Sequence, residues 1–336
     1  MYCKIPFERI EIVPDGNVFN CCPSWLDKPI GNIFDEPDFG KIWNSNTAQI
    51  LRSSMLEETY EFCNHEYCPF LLKEIFKSPK DKIETHRCAG NSQETILSYG
   101  PVIMALNYDP TCNLFCKSCR GHMFGLSREK VEFLLKFQGN LLKTPLFQNI
   151  RELIVTGNGD PFASKVHMTL LQDINEQRFP HLGLTLRTNG ILFTPQNWEK
   201  ISTSHYAVDL IKVSIDAATK GTYRNVRYGG DFDKLLKNLS FMAELKQTKK
   251  IKLQAVFLVQ QKNYREMPIF VELMQSFNFD SVHFTKINNW GTYTEEEFRQ
   301  VAIHRKDHPE WETFLKILSH PILKDPVVSI DFKDGE

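Results

Sequence analysis

The amino-acid sequence predicts an α/β protein with a mostly parallel sheet, preceded by a small cysteine-rich β-hairpin module. The first observation is that apolar, strand-like runs alternate with helix-like patterns between residues 102 and 287, which is typical of βαβ units. The second is a pair of short strands around a tight turn near the N-terminus. The third is that the nine cysteines all lie within the first 119 residues.

Length and composition exclude several classes of protein. The chain has 336 residues, which suits one large and one smaller domain at about 100–200 residues each. A net charge of −1, from 40 basic and 41 acidic residues, lacks the basic footprint of a nucleic-acid-binding protein. The N-terminus has no signal-peptide core, and no apolar run approaches the ~18 residues of a membrane span. We therefore expect a soluble, cytoplasmic protein without nucleic-acid or membrane partners, whose cysteines serve metal or redox chemistry rather than disulfides.

The N-terminal segment combines a hairpin with well-placed cysteines. Strands at 9–13 and 17–20 flank the turn Pro14-Asp15-Gly16. The cysteines lie at the ends of this hairpin or in a later loop: Cys3, Cys21, Cys22, Cys63 and Cys68. Cysteines so placed can converge on one metal, and a unit this small needs such a staple. Zinc, which prefers tetrahedral thiolate sites, is one candidate for it.

A second group of cysteines follows the first strand of the predicted parallel sheet. The apolar run at 102–106 predicts a short buried strand, and Cys112, Cys116 and Cys119 follow it in C-x3-C-x2-C spacing. Structural zinc sites and closed iron–sulfur clusters use four protein ligands. Three close thiolates without a fourth therefore suggest a cluster with one iron open to another ligand. Half of a zinc site completed from elsewhere is the alternative that spacing leaves open.

Polar phrases follow the next three predicted strands, at 152–156, 183–187 and 209–216. They are, in order, Gly157-Asn-Gly-Asp-Pro161, Thr188-Asn-Gly190 and the pair Ser214 and Asp216. Glycines let a ligand approach the backbone, and Asp160 offers a carboxylate to an amine, although such residues are also common in ordinary turns. With two further strands at 252–259 and 281–287, six parallel strands are expected. Ligands of such sheets bind at the carboxyl ends of the strands, where these phrases fall.

The cysteine spacing, these three phrases in this order, and Arg227 downstream together resemble the radical S-adenosylmethionine (radical SAM) superfamily. The resemblance implies a partial (β/α)6 barrel and a 4Fe–4S cluster on Cys112, Cys116 and Cys119, whose open iron binds SAM. It also implies reductive cleavage of SAM to a 5′-deoxyadenosyl radical that abstracts hydrogen from a substrate C–H bond. A reductase such as flavodoxin or ferredoxin is the expected electron donor. The residue before the third cysteine, often aromatic in that superfamily, is Ser118.

The same resemblance assigns contacts to the parts of SAM. The expected contacts are Asn158, Gly159 and Asp160 with the amino group, Thr188, Asn189, Ser214 and Asp216 with the ribose, Arg227 with the carboxylate, and Phe115, Ile287 and Trp290 with the adenine. Ser214 and Asp216 could face the substrate instead. Arg224 is a competitor for the role of Arg227.

The N-terminal pattern resembles the SPASM/twitch auxiliary-cluster module, which usually follows a radical SAM core but here precedes it. The match includes Cys3, Gly16 and Cys21 at the expected spacing, then the Ile-Gly-Asn and Ile-Trp-Asn phrases. It implies one auxiliary 4Fe–4S cluster on Cys3, Cys21, Cys63 and Cys68, with Cys22 as a substitute ligand. A zinc-stapled hairpin is the alternative. Cys88 is an extra ligand, a hydrogen donor or a plain loop thiol.

These patterns divide the chain into a SPASM/twitch-like module at 1–75, a linker at 76–100, a radical SAM core at 101–292 and a helical and strand extension at 293–336. The resemblance implies an oxidoreductase or epimerase acting on a polar small molecule, such as an amino sugar, cyclitol or glycan precursor. Compact size, a single auxiliary cluster and no recognisable leader-peptide-binding domain favour that substrate class. The alternatives are a peptide or protein maturase that forms a crosslink, thioether or epimerised residue and, more remotely, a non-catalytic zinc or electron-carrier protein.

Overall fold

The computed structural model describes residues 2–26, 28–66, 68–72 and 94–332. The chain divides into two compact units. The first comprises Met1–Asp109, Ser127–Asn158 and Ile174–Leu184, and the second comprises Pro110–Leu126, Gly159–Asp173 and Thr185–Glu336. The N-terminal cysteines therefore belong to the first unit and the C-x3-C-x2-C loop to the second. Cys88 and most of the predicted linker lie outside the described residues.

Strands are present at every position where the sequence predicts one. In chain order they are β1 (Arg9–Ile12), β2 (Asn17–Phe19), β3 (Gly31–Asn32), β4 (Ile103–Leu106), β5 (Glu152–Val155), β6 (Gly183–Thr188), β7 (Val208–Ser214), β8 (Lys252–Val259), β9 (Ser281–Lys286) and β10 (Val328–Ile330).

Helices alternate with the strands from β4 to β9, as the predicted βαβ pattern requires. The α-helices are α1 (Ile5–Glu8), α2 (Phe39–Trp43), α3 (Asn46–Leu56), α4 (Pro69–Leu72), α5 (Arg128–Leu141), α6 (Lys165–Asp173), α7 (Pro195–Glu199), α8 (Lys220–Val226), α9 (Phe232–Thr248), α10 (Met267–Ser276), α11 (Glu295–Val301) and α12 (Trp311–Leu318). Short 3₁₀ helices lie at Pro145–Asn149, Ser202–Ala207, Tyr264–Glu266 and Pro321–Lys324. None of the helices in the described part of the chain has the length and apolar character needed to cross a bilayer.

The first unit contains the predicted hairpin, but its first strand is also part of a parallel sheet. β1 pairs antiparallel with β2, with Ile12 opposite Val18. On its other edge β1 pairs parallel with β4, with Ile10 opposite Met104, and β4 pairs parallel with β5. Ile10, Ile12, Val18 and Met104 are all fully buried. The hairpin is therefore anchored through the apolar side chains of β1 rather than standing as a separate module.

The turn between β1 and β2 depends on a glycine. Gly16 has φ +84, and a Cβ added there would lie 2.3 Å from the ring of Phe34. The side chain of Asp15 accepts a hydrogen bond from the backbone N–H of Asn17 at 3.0 Å, which closes the turn. A glycine tolerates this left-handed conformation without strain, so the Pro-Asp-Gly phrase gives the tight turn that the sequence predicts.

The second unit contains the strands from β7 to β10, all paired in parallel. Ala255 of β8 lies opposite Val213 of β7 and Val282 of β9. Aromatic rings pack behind these strands, with 4.8 Å between the ring centroids of Phe257 and Phe270. β10 extends the sheet beyond the six strands expected for the core, because its parallel pairing with β9 continues the same ladder.

The predicted α/β fold with an open, mostly parallel sheet is confirmed. Among the described strands, β3 pairs only with β2 in the first unit and β10 pairs only with β9 in the second. The apolar pattern from Phe39 to Met55 forms two helices, α2 and α3, rather than one continuous helix. The hydroxyl of Ser45 accepts a hydrogen bond from Ala48 N–H at 3.2 Å and starts a new helix at that point.

Candidate metal centres

The C-x3-C-x2-C loop follows β4 and folds back on itself in a tight turn. The backbone N–H groups of Cys119 and Arg120 both donate to the carbonyl of Cys116, at 3.0 and 2.8 Å. Cys116 is buried, Cys112 is half-buried and Cys119 is exposed. Burial raises the pKa of both Cys112 and Cys116, and the positive charges of Arg120 and Arg227 oppose the rise at Cys112 and Cys116 respectively. The loop thus presents three thiols within one short segment.

A side-chain N–H group lies against each of these three sulfur atoms. Asn189 Nδ2 lies 3.6 Å from Cys112 Sγ, Arg227 Nη1 lies 4.0 Å from Cys116 Sγ, and Arg120 Nη2 lies 3.6 Å from Cys119 Sγ. Asn189 also donates to Asn113 of the loop at 2.9 Å. The loop is therefore held by polar contacts from the ends of β6 and α8 as well as by its own turn.

Asp160 positions the end of β6. Its carboxylate is fully buried and accepts from Thr188 Oγ1 at 2.7 Å, from the backbone N–H of Asn189 at 2.8 Å and from that of Phe162 at 3.0 Å. Burial raises the pKa of Asp160, and these hydrogen bonds oppose the rise because they stabilise the carboxylate. Asp160 therefore fixes Asn189, whose side chain reaches Cys112.

A buried ion pair lies beside Cys116. Arg227 Nη2 contacts Asp216 Oδ2 at 2.9 Å, and Asp216 also accepts from the backbone N–H of Leu258 at 2.8 Å. Burial raises the pKa of Asp216, and the positive charge of Arg227 counteracts this rise. Asp216 has φ 65, and non-glycine residues held in this region often mark functional sites. Arg224, the competitor for the role of Arg227, is exposed.

The residues predicted to contact the adenine differ in their exposure to solvent. Phe115 is 38% exposed, and its ring centroid lies 6.0 Å from that of Tyr228. Trp290 is exposed, whereas Ile287 is completely buried. Ser214 ends β7 and is half-buried. Asn158 belongs to the first unit, whereas the other predicted SAM contacts belong to the second. The SAM-binding roles of all these residues stay predictions.

A cavity with mixed polar and apolar lining lies next to the cysteine loop in the second unit. It has a volume of about 190 Å³, and Lys117, Ser118, Gln260, Lys262 and Tyr293 are among its lining residues. Gln260, directly after β8, is buried. Its side-chain amide nitrogen has no hydrogen-bond partner among the described residues. A buried donor without a partner at a cavity wall is a candidate contact for a polar ligand.

The second candidate centre lies in the first unit. Two loops that carry its cysteines are joined by a hydrogen bond of 2.7 Å from Asn64 N–H to the carbonyl of Trp25. Burial, reinforced by neighbouring cysteines, raises the pKa of Cys3 to about 12 and that of Cys63 to about 11. The same causes raise the pKa of Cys21. Since Cys3 interacts with Cys63 and Cys68, and Cys21 with Cys3 and Cys63, the four predicted ligands lie near one another.

The residues of both centres fit iron–sulfur clusters in their chemistry. Both sets consist of thiols, the usual ligands of such clusters, and the Nε of Arg227 beside Cys116 is buried without a partner among the described residues. No three His, Cys, Asp or Glu side chains of the described chain are grouped closely enough to hold a metal ion as they stand. The cysteine side chains would therefore turn toward a common centre on binding a cluster.

The structure also identifies a residue that the sequence analysis missed. Arg120 is buried and contacts both Cys119 and the carbonyl of Pro110. Its position directly after the last cysteine was the available signal, but a single arginine in a loop is usually a solvated surface residue. Cys22 is half-buried, and its charge acts on Cys21, so it stays a possible substitute ligand.

Comparison with known families identifies the N-terminal segment. Residues 3–69 match the family model of SPASM, an iron–sulfur cluster-binding domain. This range contains all four predicted auxiliary ligands and agrees with the expected iron–sulfur module.

Comparison with individual proteins gives more distant similarities. The chain is 24% identical over 168 residues to a probable GTP 3′,8-cyclase of Methanococcus maripaludis, covering 50% of this chain and 53% of that protein. It therefore spans about half the length of the curated relatives it matches. Among solved structures, Streptococcus suis SuiB bound to its precursor peptide SuiA gives a TM-score of 0.48 at 12% identity, covering 90% of this chain and 66% of SuiB. anSMEcpe bound to AdoMet and a peptide gives 0.43 at 17% identity, covering 68% and 63% of the respective chains.

Proposed function

We propose that this chain, a radical SAM protein with a SPASM iron–sulfur domain at residues 3–69, cleaves SAM reductively and uses the resulting radical on a substrate C–H bond. One arrangement supports this proposal more than any other. The cysteine loop after β4 meets polar side chains from the ends of β6 and α8 within a single compact unit.

The cysteines Cys112, Cys116 and Cys119 would hold the SAM-binding cluster. When bound, a 4Fe–4S cluster there supplies one electron that cleaves SAM to methionine and a 5′-deoxyadenosyl radical, which abstracts hydrogen from the substrate. Arg227 would bind the carboxylate of SAM, because its Nε is a buried donor that the ion pair with Asp216 leaves without a partner among the described residues. Asp160 would orient Thr188 and Asn189 toward the ribose through its buried hydrogen bonds.

The four cysteines of the first unit would hold the auxiliary cluster: Cys3, Cys21, Cys63 and Cys68. Their shared burial and mutual electrostatic interaction support this ligand set. A cluster there could accept the electron that substrate oxidation releases. An external reductase such as flavodoxin or ferredoxin would supply the electron for SAM cleavage.

For the substrate, we favour a polar small molecule that is oxidised or epimerised. The cavity of about 190 Å³ beside the cysteine loop supports this class, because drug-sized ligands need about 300–1,000 Å³ and this space suits one small polar group. Gln260 and Lys262 on its wall offer an amide donor and an ammonium group.

A peptide or protein substrate is the second candidate. Five large apolar side chains among the described residues of the second unit are exposed: Phe115, Met123, Phe124, Ile269 and Trp290. Two of these residues follow the cysteine loop and one follows β9. Such side chains mark a surface that binds other polypeptides where they form one contiguous patch, and Met123 and Phe124 are adjacent in the chain. A product formed from small polar molecules but not from peptides, together with 5′-deoxyadenosine, would favour the first class, and the opposite result would favour the second.

The experiment that tests the proposed function compares the reconstituted wild-type protein with Cys116→Ala. Under anaerobic conditions with dithionite, the wild type should release 5′-deoxyadenosine and methionine from SAM, and the variant should release neither. Cys22→Ala serves as the matched control, because it removes a cysteine outside the core set of Cys112, Cys116 and Cys119. Equal 5′-deoxyadenosine yields from the wild type and Cys116→Ala would refute SAM cleavage at this loop.

A further inference from the structure

Each sulfur atom of the cysteine loop has its own side-chain N–H donor. The three donors come from different places in the second unit: Asn189 after β6, Arg227 after α8 and Arg120 from the loop itself. The first two belong to phrases already expected to bind SAM, so a contact with sulfur is a second role for them. Arg120 has no such expected role.

Arg120 connects the two ends of the cysteine loop. One of its terminal nitrogens donates to the carbonyl of Pro110 at 2.5 Å, before the first cysteine, and the other lies 3.6 Å from Cys119 Sγ, at the last cysteine. The side chain is 6% exposed, and its guanidinium carbon lies 5.5 Å from the ring centroid of Phe124. A planar fork with two fixed donors can bridge in this way, whereas a lysine has a single nitrogen and cannot reproduce both bonds with the same geometry.

The positive charges of the arginines and the N–H donors both favour reduction of the cluster. Reduction adds negative charge to the cluster and its thiolates. N–H groups and positive charges beside the sulfurs stabilise that added charge, and hydrogen bonds to sulfur are among the factors that set the potentials of iron–sulfur clusters. The charge of Arg120 also acts on Cys112, at the other end of the loop. Removing these contacts should therefore make the cluster harder to reduce.

We propose that Arg120 is a positioning residue that closes the cysteine loop and, together with Asn189 and Arg227, raises the reduction potential of the cluster held there. This inference rests on the proposed function, since it requires a cluster on Cys112, Cys116 and Cys119. Its role is in accepting the electron, not in binding the substrate. Electron entry becomes more favourable because three N–H donors lie within 3.6–4.0 Å of the sulfurs of the loop.

The test is an EPR-monitored redox titration of the reconstituted protein without SAM, so that SAM contacts of Asn189 and Arg227 do not contribute. The variants are Arg120→Gln and Arg120→Lys, with Arg224→Gln as the matched control because Arg224 is exposed. To isolate the core cluster, each substitution is also measured with Cys21→Ala. Iron content is measured on every sample.

Arg120→Gln should lower the equilibrium constant for reduction about tenfold, which for one electron corresponds to about 59 mV. Arg120→Lys should keep the charge, lose one of the two bonds and give a value between those of the wild type and Arg120→Gln. Arg224→Gln should match the wild type. If Arg120→Gln fails to retain iron, Arg120→Lys decides: a lowered potential supports the inference and an unchanged one overturns it.

Wild-type potentials in both Arg120 variants, at full iron content, would overturn the inference while leaving the proposed function intact. A wild-type protein that binds no iron at the loop would instead overturn the proposed function. The two failures are therefore distinguishable in the same titration.

Discussion

The two cysteine groups are assembled in different ways. The three core cysteines come from one eight-residue stretch of chain, Cys112 to Cys119, which a local turn and three side-chain N–H donors hold in place. The four N-terminal cysteines come from three separate segments, before α1, after β2 and before α4. Their proximity depends on the hydrogen bond and packing that join those segments.

This difference indicates different tasks. A short loop with three thiols leaves one position of a cluster for a ligand, and its donors support electron entry there. Four thiols from distant segments close a site completely and tie those segments together, as structural metal sites do. We therefore expect loss of a core cysteine to affect chemistry and loss of an N-terminal cysteine to affect iron content and stability of the first unit.

The largest difference in iron content is expected between Cys21→Ala and Cys22→Ala. Cys21 is buried and interacts with Cys3 and Cys63, so its loss should remove about four irons, one 4Fe–4S cluster. Reductive SAM cleavage should persist in part, because the core cysteines are in the other unit. Cys22→Ala should retain its iron, as measured by iron and sulfide analysis. Greater iron loss in Cys22→Ala than in Cys21→Ala would show that Cys22 is the ligand.

Arg227→Gln tests the ion pair of the core site. The substitution leaves Asp216, which is 1% exposed, without its positive partner, and breaking a buried pair in this way costs about 3–5 kcal/mol. The double variant Asp216→Asn/Arg227→Gln should recover much of the lost free energy of unfolding. SAM binding should weaken by about 2 kcal/mol in both the single and the double variant.

Arg224→Gln is the control for Arg227→Gln, because Arg224 is exposed. Arg224→Gln should change the free energy of unfolding by about 0.5 kcal/mol or less, because Arg224 is on the surface. Denaturant unfolding and SAM binding by calorimetry measure the two effects. If Arg227→Gln binds SAM with wild-type affinity, a residue other than Arg227 binds the SAM carboxylate.

Asp160→Asn tests how the core loop is supported from β6. An amide cannot accept all three hydrogen bonds that the carboxylate now accepts from Thr188, Asn189 and Phe162, so the free energy of unfolding should fall by about 1–3 kcal/mol. Asp233→Asn, which removes only an exposed ion pair with Lys220, should cost about 1 kcal/mol or less. Equal effects in the two variants would contradict the supporting role of Asp160.

Gly16→Ala tests the first unit without touching a cysteine. With φ +84 and the Phe34 ring 2.3 Å from an added Cβ, alanine should destabilise the hairpin by about 1–2 kcal/mol. Gly139→Ala is the matched control, because no atom lies within 4 Å of its added Cβ and alanine favours the interior of α5 by about 0.5–1 kcal/mol. Thermal unfolding separates the two, and a stabilised Gly16→Ala variant would contradict this account of the turn.

Local patterns predict the parallel strands and many of the helices between them in both units. The strands from β4 to β9 and the cap of α5 at Ser127 follow from apolar runs and capping chemistry. The carboxyl ends of those strands then place Asp160, Asn189 and Asp216 correctly along the chain. The contacts themselves could not be predicted, because the pairing of Asp160 with Thr188 spans 28 residues and depends on the order of strands.

The first unit contains strand pairings that local patterns do not predict. The hairpin follows from Pro14-Asp15-Gly16, but the parallel pairing of β1 with β4 joins residues about ninety positions apart and has no local signal. Arg120 is a similar case, since its two hydrogen bonds depend on how the cysteine loop turns back toward Pro110. Such contacts depend on burial and on the positions of charged groups, and both are set only when the chain is folded.

The most direct test of the two-centre account is iron and sulfide content with EPR on three anaerobically reconstituted proteins. These are the wild type, a Cys112/Cys116/Cys119 triple alanine variant, and a Cys3/Cys21/Cys63/Cys68 quadruple alanine variant. We expect about eight irons per chain in the wild type and about four in each variant, as two independent 4Fe–4S clusters require. Four irons in the wild type that disappear entirely in the triple variant, or zinc in place of iron at the N-terminal set, would contradict it.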